Sequence, residues 1–243
     1  MTVNKWTLPK VDGLAARLGR LLLPPRCLLC AEPGEEARDL CAACALALPY
    51  NAHACARCAL PLPEGAGPEC GRCLRRPPPF EAALAPLRYA APLDRLLPRL
   101  KFHADLAAGQ VLAALLGDAV QARLETGQSA PDALVPVPLH ARRLRERGYD
   151  QALELARPLA RRFRIPLAAR ALERVAATEA QSRLDAPARA RNVRRAFIAH
   201  GPVPAHVALV DDVMTTGATV AACARVLRSA GAGRVEVWVV ARA

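Results

Sequence analysis

The chain has 243 residues, more than one average domain, and sets 34 basic against 22 acidic residues for a formal charge of +12. Its apolar runs all fall short of the roughly 18–20 residues of a membrane span, which excludes membrane insertion by a helix. Aromatic residues make up only 4%, which argues against a base-stacking platform for nucleic acid.

Residues 1–24 form an expected N-terminal helical segment. Leu14, Leu18 and Leu21–Leu23 give stretch 12–23 the leucine face of a short amphipathic helix, a packing or partner surface. Arg17 and Arg20 interrupt the apolar run, and no small-residue cleavage site follows. Export is therefore not indicated, and cytoplasmic residence is expected.

Residues 25–76 hold eight of the nine cysteines in four Cys-x-x-Cys pairs: Cys27/Cys30, Cys41/Cys44, Cys55/Cys58 and Cys70/Cys73. Gaps of 10, 10 and 11 residues separate the pairs. Each pair makes a tight knuckle that aims two thiolates at one metal, and two knuckles complete a tetrahedral four-sulfur zinc site. About two structural zinc ions are expected. Sequential pairing needs only short loops and is preferred over an interleaved cross-brace. A disulfide framework is the competing reading, and it needs an oxidising compartment. His53 lies near Cys55 as a possible rival ligand, although eight cysteines suffice.

Arg75-Arg76-Pro77-Pro78-Pro79-Phe80 reads as a stiff junction. Beyond it, residues 77–243 are rich in Leu, Ala and Val, and about 160 residues suffice for one α/β core. Strands are expected at Ala83–Tyr89, Ala133–Leu139, Ala171–Val175, Ala196–His200, Val207–Val213 and Val235–Val240. Helices are expected at Pro92–Leu100, Asp105–Leu124, Tyr149–Arg162 and Gly217–Ala230. Strands separated by helices argue for a mostly parallel sheet. Cys223, among alanines of the last helix, is expected to be a buried small apolar residue.

Val207–Thr219 carries the strongest signal. Val207-Ala208-Leu209-Val210 is a buried strand that runs into Asp211-Asp212, then Val213-Met214-Thr215-Thr216-Gly217-Ala218-Thr219 opens a helix. Ligands bind at such carboxyl strand ends in open α/β sheets. Free N–H groups at Thr215–Thr219, the helix dipole and three threonine hydroxyls suit a phosphate. Gly217 lets the backbone approach closely, and the two aspartates can accept hydrogen bonds from neighbouring sugar hydroxyls. A phosphate held beside a diol is a ribose 5-phosphate site.

Only three of the basic residues are lysine, and arginine suits bidentate phosphate contacts. Arg142, Arg143, Arg145 and Arg147 crowd the loop after the Pro-Val-Pro strand. Arg183, Arg189, Arg191, Arg194 and Arg195 crowd a second segment. Both clusters are expected near the carboxyl edge of the sheet, open to pyrophosphate, to nucleic acid or to nothing specific.

Those thirteen residues resemble the phosphoribosyl-pyrophosphate (PRPP) motif of type I phosphoribosyltransferases. With the cysteine series before it, the whole chain resembles the ComF family over residues 27–242. The other matching stretches are Pro77–Phe80, Lys101-Phe102, Leu134–Leu139, Arg147-Gly148-Tyr149-Asp150-Gln151, Thr178-x-x-Gln181-x-x-Leu184 and Arg189-x-x-Asn192. Ala218 replaces a common Gly or Ser, and Asp150 replaces a common Asn.

The resemblance implies an α/β fold of the type I phosphoribosyltransferase kind preceded by a small double zinc ribbon. It implies a pyrophosphate loop at residues 135–139, with Pro136, Val137 and Pro138, helped by Lys101. It makes residues 177–195 a flap whose substrate contacts are Thr178, Gln181, Arg189 and Asn192. Proline at 136 and 138 makes a cis peptide worth considering there.

Two functions follow as expectations. The first is pentosyl transfer from PRPP with Mg²⁺, Asp211 and Asp212 holding the ribose. The second, implied by the family's association with DNA uptake and natural transformation, is a non-catalytic accessory protein. Its partners would be single-stranded DNA or a DNA-translocating helicase, with PRPP as a ligand or not at all.

Overall fold

The computed structural model describes residues 24–35, 38–176 and 196–243. Segment 12–23, the flap residues Thr178, Gln181, Arg189 and Asn192, and Arg183, Arg191, Arg194 and Arg195 lie outside the described residues.

In chain order the ribbon region contributes α1 (Ala42–Leu46) and α2 (Gly71–Arg75). Then come β1 (Ala82–Leu84), β2 (Leu87–Arg88), α3 (Leu93–Phe102), α4 (Leu106–Glu125), β3 (Ala133–Pro136), α5 (Ala141–Arg147) and α6 (Gln151–Phe163). The chain closes with β4 (Leu172–Arg174), β5 (Phe197–Ala199), β6 (His206–Met214), α7 (Ala218–Ser229) and β7 (Arg234–Arg242).

The main sheet runs β1-β7-β6-β3, with β2 also on β7, and every pairing is parallel. Alternation along the two central strands gives each face its own core. Ala208 and Val210 of β6 and Trp238 and Val240 of β7 pack with Leu96, Leu112, Leu116 and Leu155 of α3, α4 and α6. Val207 and Leu209 of β6 and Val235, Val237 and Val239 of β7 pack with Val220 and Leu227 of α7. Helices on both faces explain the unbroken apolar run Val207–Val210. Glu236, 1% exposed at the amino end of the sheet, is met by Arg123 at 3.0 Å.

Three expectations are corrected. The strand at 83–89 is two short strands, because Pro86 has no N–H for the ladder. Asn51 fills the break, donating from Nδ2 to Ala85 O at 3.1 Å and to Ala59 O at 2.9 Å. Strands β4 and β5 do not join the parallel sheet; they form a separate antiparallel pair. Each is three residues long and buries a single residue. The arginine-rich stretch after β3 is a helix, α5, with no loop at Arg142–Arg147. Its only apolar side chain between Ala141 and Gly148 is Leu144, so no period announced it.

The ribbon region shares the core of the α/β part. Cys27, Leu40 and Leu48 belong to the same apolar cluster as Leu97 and Trp238. Arg99 donates from Nη1 to Leu28 O at 2.9 Å, and Arg38 pairs with Asp118 at 2.7 Å.

Candidate functional site: an acidic pair and turn beside two cysteine ribbons

The eight cysteines form two groups, Cys27/Cys30/Cys41/Cys44 and Cys55/Cys58/Cys70/Cys73, with all sulfurs of a group within 4.8 Å of one another. This is sequential pairing. The Cys30–Cys41 and Cys58–Cys70 sulfurs stand 3.6 and 3.7 Å apart. Zinc–sulfur bonds of about 2.3 Å in a tetrahedron set sulfurs about 3.8 Å apart, so the sets fit zinc.

The two ribbons repeat one design. In each, the first pair sits in a tight turn closed by an N–H donated to the first cysteine: Ala31 N to Cys27 O at 2.8 Å and Ala59 N to Cys55 O at 2.7 Å. Ala31 and Ala59 both take positive φ, 66° and 53°. In each, the second pair opens a short helix, with Cys41 capping α1 and Cys70 capping α2. Burial opposes ionisation of Cys27, but N–H groups of Cys41, Leu29 and Cys30 bring its pKa down to about 6. His53 is exposed and joins neither group. None of the nine cysteines is in a disulfide, so the structure holds no disulfide framework.

Strand β6 ends at Met214, three turn residues follow, and α7 begins at Ala218. Gly217 holds φ at 78°, a left-handed conformation that favours glycine. It caps α7 without a side-chain bond. Thr216 Oγ1 accepts from Ala218 N at 3.3 Å, while Thr215 and Thr216 are exposed. Asp211 Oδ1 accepts from Asp212 N at 2.9 Å and Asp212 Oδ1 from Val213 N at 2.7 Å. The second carboxylate oxygen of Asp212 is buried and accepts no hydrogen bond; Lys101 Nζ sits 2.9 Å away as its charge partner. Burial and the neighbouring Asp212 push the Asp211 carboxyl well above its ordinary range.

Strand β3 lies beside β6 with Pro136 opposite Val210, so residues 137–139 leave the sheet next to the acidic pair. Pro136 is the last strand residue, Val137 is 5% exposed and donates to Val210 O at 2.9 Å, and Pro138 is half-buried. Among the described residues the cis peptide is Ala91–Pro92, not one before Pro136 or Pro138. Lys101, which the resemblance groups with that loop, pairs with Asp212 from the last turn of α3. Arg142, Arg143 and Arg145 are exposed on α5, and Arg147 donates to Gln151 Oε1 at 2.6 Å and lies over the Phe102 ring at 5.6 Å.

Several contributors had no local signal. Asp150 accepts from Leu139 N at 3.0 Å through one oxygen and from Leu153 N at 3.2 Å through the other. It thus caps α6 and anchors the end of the 135–139 loop, work that uses acceptors alone. Burial raises its pKa. Arg174 of β4 stacks on Phe197 at 5.5 Å. Its pKa is lowered by burial and by Arg143, against the pull of Cys223 and Asp211. Cys223 is fully buried, as expected, and burial raises its pKa. Arg72 and Arg242 hold the turn between β6 and α7 from the ribbon side: Arg72 Nη2 donates to Thr216 O at 3.1 Å and Arg242 Nη1 to Met214 O at 3.0 Å.

No helix among the described residues is long and apolar enough to cross a membrane. Residues 18–74 match the double zinc ribbon domain family. The whole chain is similar to proteins named for DNA use. It is 38% identical over 226 residues to "DNA utilization protein YhgH" of Salmonella typhimurium strain LT2, covering 91% of this chain and 99% of that protein. The Escherichia coli K12 protein of the same name is 38% identical over 218 residues, 89% of each chain. "Competence protein F" of Haemophilus influenzae Rd is 35% identical over 227 residues, 90% of this chain and 97% of that protein. A parallel α/β sheet behind two four-cysteine ribbons, with relatives matched along nearly their whole length, establishes that this chain belongs to the ComF family.

Proposed function

We propose that the protein binds PRPP at the carboxyl edge of its sheet, as a phosphoribosyltransferase-like member of the ComF family, and acts in the cell's use of DNA. The observation that carries the ligand reading is the succession of an adjacent carboxylate pair, Asp212 buried and Asp211 half-buried, a three-residue turn with Gly217 at positive φ, and the amino end of α7. The turn and helix end offer N–H groups to a 5′-phosphate. Asp211 and Asp212 offer acceptors to the two ribose hydroxyls. The loop after β3 leaves the sheet beside them, which supports reading it as the contact for the pyrophosphate.

Asp211 and Asp212 are also the carboxylates that a PRPP-bound Mg²⁺ would approach, and that ion supplies neutralisation of pyrophosphate charge. Lys101 holds a positive charge at the acidic pair. Ligand hydroxyls arriving at Asp212 would share that carboxylate with Lys101, and the ammonium is then placed to offset phosphate charge. Such a site acts mainly by positioning and by electrostatic stabilisation of the leaving pyrophosphate.

The DNA side of the proposal rests on the printed names of the relatives. The exposed arginines of α5 supply a backbone-contacting surface, and single-stranded DNA or a DNA-translocating helicase is the partner it would suit. Residence in the cytoplasm is part of this reading. Calorimetric titration with PRPP and Mg²⁺, followed by an assay for pyrophosphate release, tests it. Saturable binding supports the site, and absence of PRPP binding to zinc-loaded protein refutes it.

A further inference from the structure

We infer that the second cysteine ribbon is a structural part of the phosphate site, with Arg72 and Arg242 as positioning residues that aim the N–H groups of its turn. The inference rests on reading Met214–Thr219 as the phosphate loop.

The geometry begins in the ribbon. Helix α2 is preceded by its N-cap Cys70 and contains Cys73, so Arg72 sits between two ligands of one metal site. Its backbone is fixed by that site, and its guanidinium reaches across 144 residues of sequence to Thr216 O. The same Nη2 lies 3.9 Å from where a Cβ on Gly217 would stand. Arg242, 4% exposed at the end of β7, works from beside it. Its Nε donates to Cys58 O at 3.2 Å, and its Nη1 donates to Met214 O at 3.0 Å. One buried guanidinium therefore links a zinc-ligand residue directly to the turn.

The consequence follows from the planar trans peptide, in which C=O and N–H point in opposite directions. A Met214 carbonyl held toward Arg242, and bonded also by Ala243 N at 3.1 Å, turns the Thr215 N–H away from that side. A Thr216 carbonyl held toward Arg72 turns the Gly217 N–H the same way. Two alternate amides of the turn are thus directed together, the arrangement an anion needs. Glycine at 217 leaves the peptide free to take this orientation and also free to lose it, so an external restraint matters here. The first ribbon touches the site differently, through Leu28 O and Arg99 on the helix that presents Lys101.

The test uses the zinc-loaded full chain, Arg72→Gln, Arg72→Lys, and, as a control, Arg75→Gln at an exposed arginine of the same helix. Three readouts are taken: zinc content, hydrogen exchange of the amides at 214–219, and calorimetric affinity for ribose 5-phosphate. The expected result for Arg72→Gln is unchanged zinc, amide exchange raised severalfold, and affinity lowered about 2- to 10-fold, the range for one lost hydrogen bond. Arg72→Lys keeps a donor and should recover part of both effects, while Arg75→Gln should match the parent. Chelation of zinc from the parent should raise exchange at 214–219 as well. Exchange in Arg72→Gln equal to the parent's overturns the inference. A parent that fails to bind ribose 5-phosphate overturns the PRPP reading instead, and the exchange data then judge the ribbon-to-turn coupling by themselves.

Discussion

Lys101 and Asp212 come from elements 111 positions apart in sequence and meet as an ammonium 2.9 Å from a buried carboxylate oxygen. The pair joins the last turn of α3 to the carboxyl end of β6. It also explains how two adjacent carboxylates survive at a largely buried strand end: one has a cation, and the other is held back from ionising by burial and by its neighbour. A cationic Lys101 thus keeps the ligand-free site from being a bare double negative charge.

Asp211 should show a trade between stability and binding. Its folded pKa lies above its ordinary 3.8, so the folded state holds the proton more tightly than the unfolded state. Stability is therefore greatest below the ordinary value and is lost as pH climbs through the raised one. Asp211→Asn removes that penalty. Thermal denaturation at neutral pH should show a higher midpoint for Asp211→Asn than for the parent, and the gap should close near pH 4. A lower midpoint at neutral pH contradicts the assignment.

Asp150 should behave as an acceptor-only cap. Asp150→Ala leaves the Leu139 and Leu153 N–H groups without their partner and should cost about 1–2 kcal/mol. Asp150→Asn keeps one acceptor and should cost less. Chemical denaturation orders the three proteins, and equal stability of Asp150→Ala and parent sinks the proposed double anchor.

Zinc should measure about two per chain by elemental analysis. Replacing Cys70 and Cys73 together with serine should leave about one, because the ligand sets are separate. Zinc-free protein, or disulfides between the pairs in a reduced preparation, argues for another role of the cysteines.

DNA binding through α5 should be independent of sequence and sensitive to salt. Affinity for single-stranded DNA should fall steeply from low to physiological salt as counterions are released. Neutralising Arg142, Arg143 and Arg145 together should flatten that slope. A salt-independent affinity, or a strong preference for one sequence, rules out a backbone-contacting arginine surface.

What the sequence disclosed has a physical pattern. Val207–Thr219 was legible because its strand, turn and helix are encoded within thirteen residues, and Cys27–Cys73 because ligand spacing is a local rule. The observed elements there differ from expectation by a residue or so at each end. Helix α5 was missed because Arg142–Arg147 has no apolar stripe. The separate pairing of β4 with β5 was missed because three-residue strands carry too little pattern to show which sheet they join. Asp150 is a mere departure from a family pattern in sequence, and its role depends on the Leu139 and Leu153 N–H groups that the fold brings to it. Arg72 and Arg242 act on carbonyls 144 and 28 positions away, and their partners are backbone atoms, which leave no trace in residue identity.

The central claim is that Asp211-Asp212 and the turn after them hold the ribose 5-phosphate part of PRPP. Calorimetry of zinc-loaded parent against Asp211→Asn with Asp212→Asn, each titrated with PRPP in the presence of Mg²⁺, tests it most directly. Saturable binding by the parent is expected, with a loss of about 1–3 kcal/mol for each charged hydrogen bond removed and the fold intact by circular dichroism. Equal PRPP affinity for the two proteins would contradict it.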